Sequence, residues 1–210
     1  DPEKVHVRRN EAKTRRIYIV DGKELPSTAE LLETVQRVNA DQVVVLPNNK
    51  NIIPVAEQLN ALTTKEVRVV LTKSMPEALA ALVVYDPEAS VDENLAEMAE
   101  ATEAMVTGEV TQSIRDTNSD AGPITVGDWI GLVRGDGIVT VNGTLEGASI
   151  SLLEHLITYE REIVTIIEGV DAPASTTEAL RTWIETERPD VQIECHKGGQ
   201  PLYPYLFGVE

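Results

Sequence analysis

The chain has 210 residues, 42% of them hydrophobic, and its 18 Lys and Arg face 35 Asp and Glu for a formal charge of −17. That apolar share excludes wholesale disorder, and the negative charge repels phosphate backbones and anionic surfaces, so no nucleic-acid partner is expected. The single Cys195 cannot close an internal disulfide, which suits a reducing, cytoplasmic setting, and no apolar run approaches the ~20 residues that span a bilayer.

The chain opens Asp1-Pro2-Glu3, with neither Met nor a signal-peptide pattern, as expected of a piece of a longer protein. Residues 1–16 are polar, with Arg8, Arg9, Lys13, Arg15 and Arg16, and read as a linker or edge segment. RIYIV (16–20) is strand-like and stops at the turn pair Asp21-Gly22. Ser27 and Glu30 then fit a helix-start capping box, and Leu31, Leu32, Val35 and Val38 recur at helical spacing over 28–39. QVVVLP (42–47) is a continuous apolar run ended by Pro47, the pattern of a strand buried on both faces. A helix over 51–62, a strand at 67–71, a helix over 75–85 and an acidic helix over 90–106 follow. Strand, helix, strand, helix, strand predicts right-handed crossovers in a parallel, doubly wound, Rossmann-like lobe over 17–118.

TNSDAGP (117–123) is a polar break and is read as the lobe boundary, with a second, smaller α/β lobe over 119–210. There, WIGLV (129–133), the turn RGDG and IVTV (138–141) predict a β-hairpin. Gly143 and Gly147 bracket a bend before a helix over 148–159. A strand at 162–169, a helix over 176–188, a strand at 191–195 and a last strand at 205–209 complete a mixed sheet. Ser27-Thr28-x-Glu30 is echoed by Ser175-Thr176-x-Glu178, which predicts a second capped helix or, alternatively, a duplicated unit.

Two polar clusters sit beside apolar runs. Asn48, Asn49, Lys50 and Asn51 fall between a buried-type strand and a helix, at the carboxyl edge where α/β sheets bind ligands. They read either as a contact surface for a partner or anion, or as Asn side chains that cap the helix and build the turn. Gly198, Gly199 and Gln200 would let a backbone or ligand approach closely. Tyr203, Tyr205 and Phe207 alternate, so they share a face, either an interface anchor or a half-buried edge strand.

No catalytic set assembles. Ser74 and Ser113 lack a nucleophile-elbow context, and neither a P-loop nor GxGxxG is present. His6, His155 and His196 are scattered, and Cys195 and His196 point to opposite faces of one strand, so no metal site is expected. Glu93, Glu97, Glu100 and Glu103 share one helix face, read as solvated or as meeting a basic partner.

VVVLPNNKNIIPVAEQ (43–58), LTKSMPEALAAL (71–82), VGDWIGLVRGDGIV (126–139) and GGQPLYPYLFGVE (198–210) together resemble the carboxy-terminal domain of the kinase component of bacterial fatty acid kinase. That family is dihydroxyacetone kinase-like and was once labelled a phosphatase. Where its members often have Gln-Gly, this chain has Glu77-Ala78. The resemblance implies a DegV-like fold, with kinase chemistry placed in an amino-terminal domain that holds ATP and magnesium. It further implies a homodimeric full-length protein whose carboxy-terminal domain docks a DegV-type fatty-acid-binding protein. The expected function is a non-catalytic docking module with Asn48, Asn49, Lys50, Asn51, Gly198, Gly199, Gln200 and Tyr203 as contact residues, and with no cofactor of its own. The alternative is a small-molecule or fatty-acid-binding domain with weak phosphatase activity, and a third reading is a purely structural dimerisation lobe.

Overall fold

The computed structural model describes residues 6–8, 17–19, 26–158 and 161–210. They form an α/β fold in two compact units that divide between Thr102 and Glu103. In the first unit, β1 (His6–Arg8) and β2 (Ile17–Ile19) pair antiparallel. The rest of the 1–16 segment and the Asp21-Gly22 turn lie outside the described residues.

Helix α1 (Thr28–Arg37) starts where the sequence predicts: Ser27 accepts from the Glu30 amide, and the Glu30 carboxylate accepts from Ser27. At its other end, the Lys65 ammonium donates to the carbonyls of Val35, Gln36 and Val38, closing a helix end that would otherwise need water. Strand β3 (Gln42–Val45), helix α2 (Ile53–Gln58) with its 3₁₀ extension (Leu59–Ala61), and β4 (Glu66–Val69) form a parallel crossover. Helices α3 (Met75–Val83) and α4 (Val91–Ala104) follow. Leu31, Val35, Ala56, Leu59 and Val67 make one buried cluster, and Val70, Ala81 and Met98 make another.

This unit differs from expectation in one respect. Among the described residues the parallel sheet has only β3 and β4, because β2 pairs with β1 instead. Val43, Val44 and Val45 are consequently half-buried rather than enclosed on both faces.

The second unit begins earlier than the polar break suggests. Strand β5 (Val106–Gln112) lies between two later strands, so the unit must start before it. TNSDAGP contains a small hairpin, β6 (Thr117–Ser119) with β7 (Gly122–Ile124), rather than the lobe boundary expected near residue 118. The predicted hairpin is present as β8 (Trp129–Val133) and β9 (Gly137–Asn142), followed by α5 (Leu145–Leu156). Strand β10 (Ile163–Glu168), helix α6 (Ala174–Glu187), β11 (Gln192–Lys197) and β12 (Tyr205–Val209) complete a six-stranded mixed sheet, ordered β11-β10-β12-β5-β8-β9. Only β10 and β11 run parallel within it, joined by α6.

The predicted cap at Ser175 does not form. Pro173 is the N-cap, its carbonyl accepts from Thr176 and Thr177, and Ser175 sits within the first turn. The two echoed segments therefore start their helices by different means.

Alternation decides what this sheet buries. Val110, Val133, Val164, Ile166, Tyr205, Phe207 and Val209 point to the same core as Leu152, Leu153 and Leu156 of α5 and Leu180 and Ile184 of α6. A Cβ on Gly131 would stand 2.7 Å from Thr140 Oγ1 of the neighbouring β9 and 3.2 Å from Leu152 Cβ of α5. Gly131→Ala should therefore destabilise the chain by about 1–3 kcal/mol, the usual range for overpacking. The urea unfolding midpoint reports it; an unchanged midpoint would mean that α5 does not press on the sheet.

Candidate functional site

The first cluster is built at the carboxyl ends of β3 and β4. After the buried Pro47, the chain turns at Asn48 with φ +57°, in the left-handed region that Asn tolerates better than most residues. The Asn48 amide donates to Thr72 Oγ1 at 3.1 Å, and the Thr72 hydroxyl donates back to Asn48 Oδ1 at 2.9 Å. Thr72 is fully buried, so this reciprocal pair fixes one strand end against the other without water. Asn48 Nδ2 also reaches Met75 Sδ at 3.8 Å. Asn49 Oδ1 accepts from the Asn51 amide at 2.9 Å and its carbonyl accepts from Ile52, an Asx turn leading into α2.

Asn48 and Asn49 thus build the turn, while Lys50 and Asn51 project outward, exposed. Thr72 brings its neighbours to the same edge: Leu71 is 52% exposed, Met75 is 37% exposed, and Lys73 is exposed. The Lys73 amide donates to the buried Glu77 carboxylate at 2.7 Å, and Ser74 caps α3 through the Glu77 amide. Glu77 therefore anchors the start of α3. Leu71, Thr72, Lys73 and Met75 escaped the sequence reading. Applying the carboxyl-edge rule to the strand at 67–71 as well as to the one at 42–47 finds them.

The second cluster closes on itself. Both Gly198 and Gly199 donate their amides to the Glu168 carbonyl at 2.9 Å. Gln200 Nε2 donates to the carbonyls of Ile167 at 3.2 Å and Tyr203 at 3.1 Å, and the Gln200 carbonyl accepts from Val170. A Cβ on Gly198 would fall 2.2 Å from Gln200 Oε1 and 2.4 Å from Ile167 Cγ2. What fills the space at Gly198 is the Gln200 brace and the Ile167 side chain, whereas a Cβ on Gly199 would meet nothing within 4 Å and its φ of +70° is what favours glycine there.

Tyr205 and Phe207 share a face as predicted, but that face is the core: both are fully buried, with ring centroids 5.9 Å apart. The Tyr205 hydroxyl lies 3.0 Å from that of Thr177, which donates to Glu168 Oε1 at 2.6 Å. Tyr203 is left half-buried two residues before β12, its phenol pushed up by burial and by the nearby Glu109 carboxylate. The two predicted clusters belong to different units, Asn48–Asn51 to the first and Gly198–Tyr203 to the second.

Neither Cys195 nor Ser113, both outside the two clusters, is activated as a nucleophile. Burial pushes the Cys195 thiol up, the opposite of what a reactive cysteine needs. The hydroxyl of Ser113 donates to the Arg115 carbonyl at 2.8 Å. Among the described residues, no three His, Cys, Asp or Glu converge to hold a metal ion. No helix of the described residues is long and apolar enough to cross a membrane.

The family model FakA-like, C-terminal, which describes the carboxy-terminal domain of a fatty acid kinase component, matches residues 11–210. An uncharacterised protein of Staphylococcus epidermidis is 38% identical over 195 residues, which are 92% of this chain and 35% of that protein. The chain thus spans about a third of the curated relatives it matches. A DegV-family protein of Ruminococcus gnavus, solved with vaccenic acid, superposes with a TM-score of 0.61 at 13% identity, covering 95% of this chain and 81% of that one. The fatty acid kinase B3 protein of Streptococcus pneumoniae, loaded with linoleic acid, gives 0.59 at 13% identity, with 88% and 76% covered. The dihydroxyacetone kinase of C. freundii gives 0.59 at 12% identity, with 88% and 41% covered. At these identities the likenesses show the fold, which is DegV-like.

Glu109 supplies a test of the second unit's geometry. It lies on β5, opposite Leu206 and Leu132 of the flanking strands, and burial raises its carboxyl above the ordinary value of 4.5. A raised folded-state pKa favours the neutral acid, so its stabilising share is present below 4.5 and is lost as pH rises through the raised value. Glu109→Gln, neutral at every pH, should gain on the parent as pH rises from 5 to 8. Urea midpoints of both proteins across that range check this, and a gap that stays constant would place Glu109 in water.

Proposed function

This chain belongs to the FakA-like C-terminal family of fatty acid kinases, and from that premise we propose that it is a non-catalytic module that docks a DegV-type fatty-acid-binding protein. In this reading it holds the partner while the rest of the longer protein, with ATP and magnesium, phosphorylates the presented acyl group. Among the described residues no group of three or more His, Cys, Asp or Glu offers an all-protein cation cage. In this proposal magnesium and nucleotide are held by the remainder of the longer protein.

One observation carries the docking reading. The edge of β3 and β4 presents exposed Leu71 and Met75 beside exposed Lys50 and Lys73, on a chain of charge −17. Apolar anchors beside positive charge suit a protein surface with an apolar centre and an acidic rim. The reciprocal Asn48–Thr72 pair and the Asn49 turn hold that edge in place, so little ordering entropy is lost on binding. Gly198, Gly199 and Gln200 support their own loop and are proposed to act only through its shape. A second reading, that the module itself takes a fatty acid, is favoured by its fold likeness to the fatty acid kinase B3 protein.

Exposed residues test docking without threatening the fold. Lys50→Glu with Lys73→Glu and Leu71→Asp should weaken binding of a co-expressed DegV-type partner at least tenfold, a change of about 1.4 kcal/mol. Calorimetric titration of the full-length protein measures it. Unchanged affinity would refute this edge as the docking surface. Stoichiometric fatty acid on the purified chain without partner would select the second reading. ATP turnover by the chain alone, lost in the same variant, would refute a non-catalytic role.

A further inference from the structure

A second surface, in the other unit, has its own chemistry. Between α5 and α6 runs an open groove of roughly 620 Å³. Its lining on α6 falls at Ser175, Glu178, Ala179, Thr182, Trp183, Thr186 and Glu187, spacings of three and four that make a single stripe along the helix. From Ser175 to Glu187 that stripe is about 18 Å long at 1.5 Å per residue. Ile150, Ala179 and Trp183 supply apolar floor, and Glu146, Glu178 and Glu187 stand at the margins. None of these three carboxylates is ion-paired among the described residues.

We propose that this groove binds a basic amphipathic helix of a partner protein, its apolar stripe on Ile150, Ala179 and Trp183 and its Lys or Arg side chains on the three glutamates. Charge complementarity selects this occupant. A neutral apolar segment would cover the floor but leave the three exposed carboxylates unanswered at its margins, where Lys or Arg side chains add favourable charge contacts. A second copy of this chain would bring −17 against −17. The length of the stripe matches about three turns of helix, the usual reach of helix-in-groove recognition. The groove shares no residue with the docking edge of the first unit.

The test uses the full chain and labelled 14-residue peptides, one a Leu/Lys amphipathic helix and the other its Leu/Glu counterpart, read by fluorescence anisotropy. The Leu/Lys peptide should bind saturably and the Leu/Glu peptide at least tenfold more weakly. Glu146→Lys with Glu178→Lys and Glu187→Lys should weaken Leu/Lys binding at least tenfold. Reversal of Glu97, Glu100 and Glu103, an equal charge change on the exposed face of α4, should alter it less than twofold. Trp183→Ala should also weaken it, with circular dichroism confirming the fold; the exposed glutamate variants decide the matter if that variant unfolds. Equal losses in the two charge-reversal variants would reduce the binding to diffuse attraction and overturn the groove. Equal binding of both peptides would overturn it too. Dimerisation by sedimentation that disappears on reversing the groove glutamates would assign the surface to a second copy instead.

Discussion

A pair of parallel strands ends in backbone amides and carbonyls that extend past the last rung of the ladder, and something must bond to them. Among the described residues each unit contains one such pair, β3 with β4 and β10 with β11, and each meets the demand differently. The second unit uses main chain and one side chain. The amides of Gly198 and Gly199 converge on the Glu168 carbonyl, and the Gln200 side chain bridges Ile167 and Tyr203. That edge is closed, with its hydrogen-bonding capacity turned inward. The first unit continues in main chain only as far as the Val70 amide on the Val45 carbonyl, and then uses side chains. Asn48 and Thr72 bond reciprocally, Asn49 turns the chain, and the residues between them point out. The same constraint thus leaves one edge sealed and the other equipped with Lys50, Asn51, Leu71, Lys73 and Met75.

Charge gives those outward groups their meaning. On a chain with 35 acidic residues against 18 basic ones, two lysines beside exposed Leu and Met form a local exception at the first unit's edge. The α5–α6 groove has the opposite character, with glutamates around an apolar floor. Surfaces of opposite sign on separate units favour different partners, because like-charge contact opposes the wrong one before any packing is tried.

Much of the fold could be read from the residues. The Ser27–Glu30 box, the hairpin around RGDG and the β10–α6–β11 crossover form where local chemistry puts them. The Ser175 echo failed because Pro173, two residues earlier, is already set for the N-cap and its carbonyl takes the first helical amides. The boundary near residue 118 failed because a polar, Gly-containing stretch marks any turn, and a turn between two short strands looks the same as one between two domains. Strand β5 went unread because Gly108 and Glu109 break its apolar pattern. In the structure Gly108 is needed there because a Cβ would meet Leu156 Cδ1 at 2.8 Å.

The sequence alone determined the α/β class, the acidic surface, the polar turn at Asn48–Asn51 and the shared face of Tyr205 and Phe207, because propensity, charge and alternation act over a few residues. It could not determine which face that was, since alternation states that residues 205 and 207 agree but not what they agree on. Only the stacking of α5 and α6 on the sheet made it the core. Nor could it separate a glycine loop that admits a ligand from one filled by the chain's own side chains, because at Gly198 both demand a missing Cβ. Contacts between residues far apart in the chain, Asn48 with Thr72 and Gly198 with Glu168, made that choice.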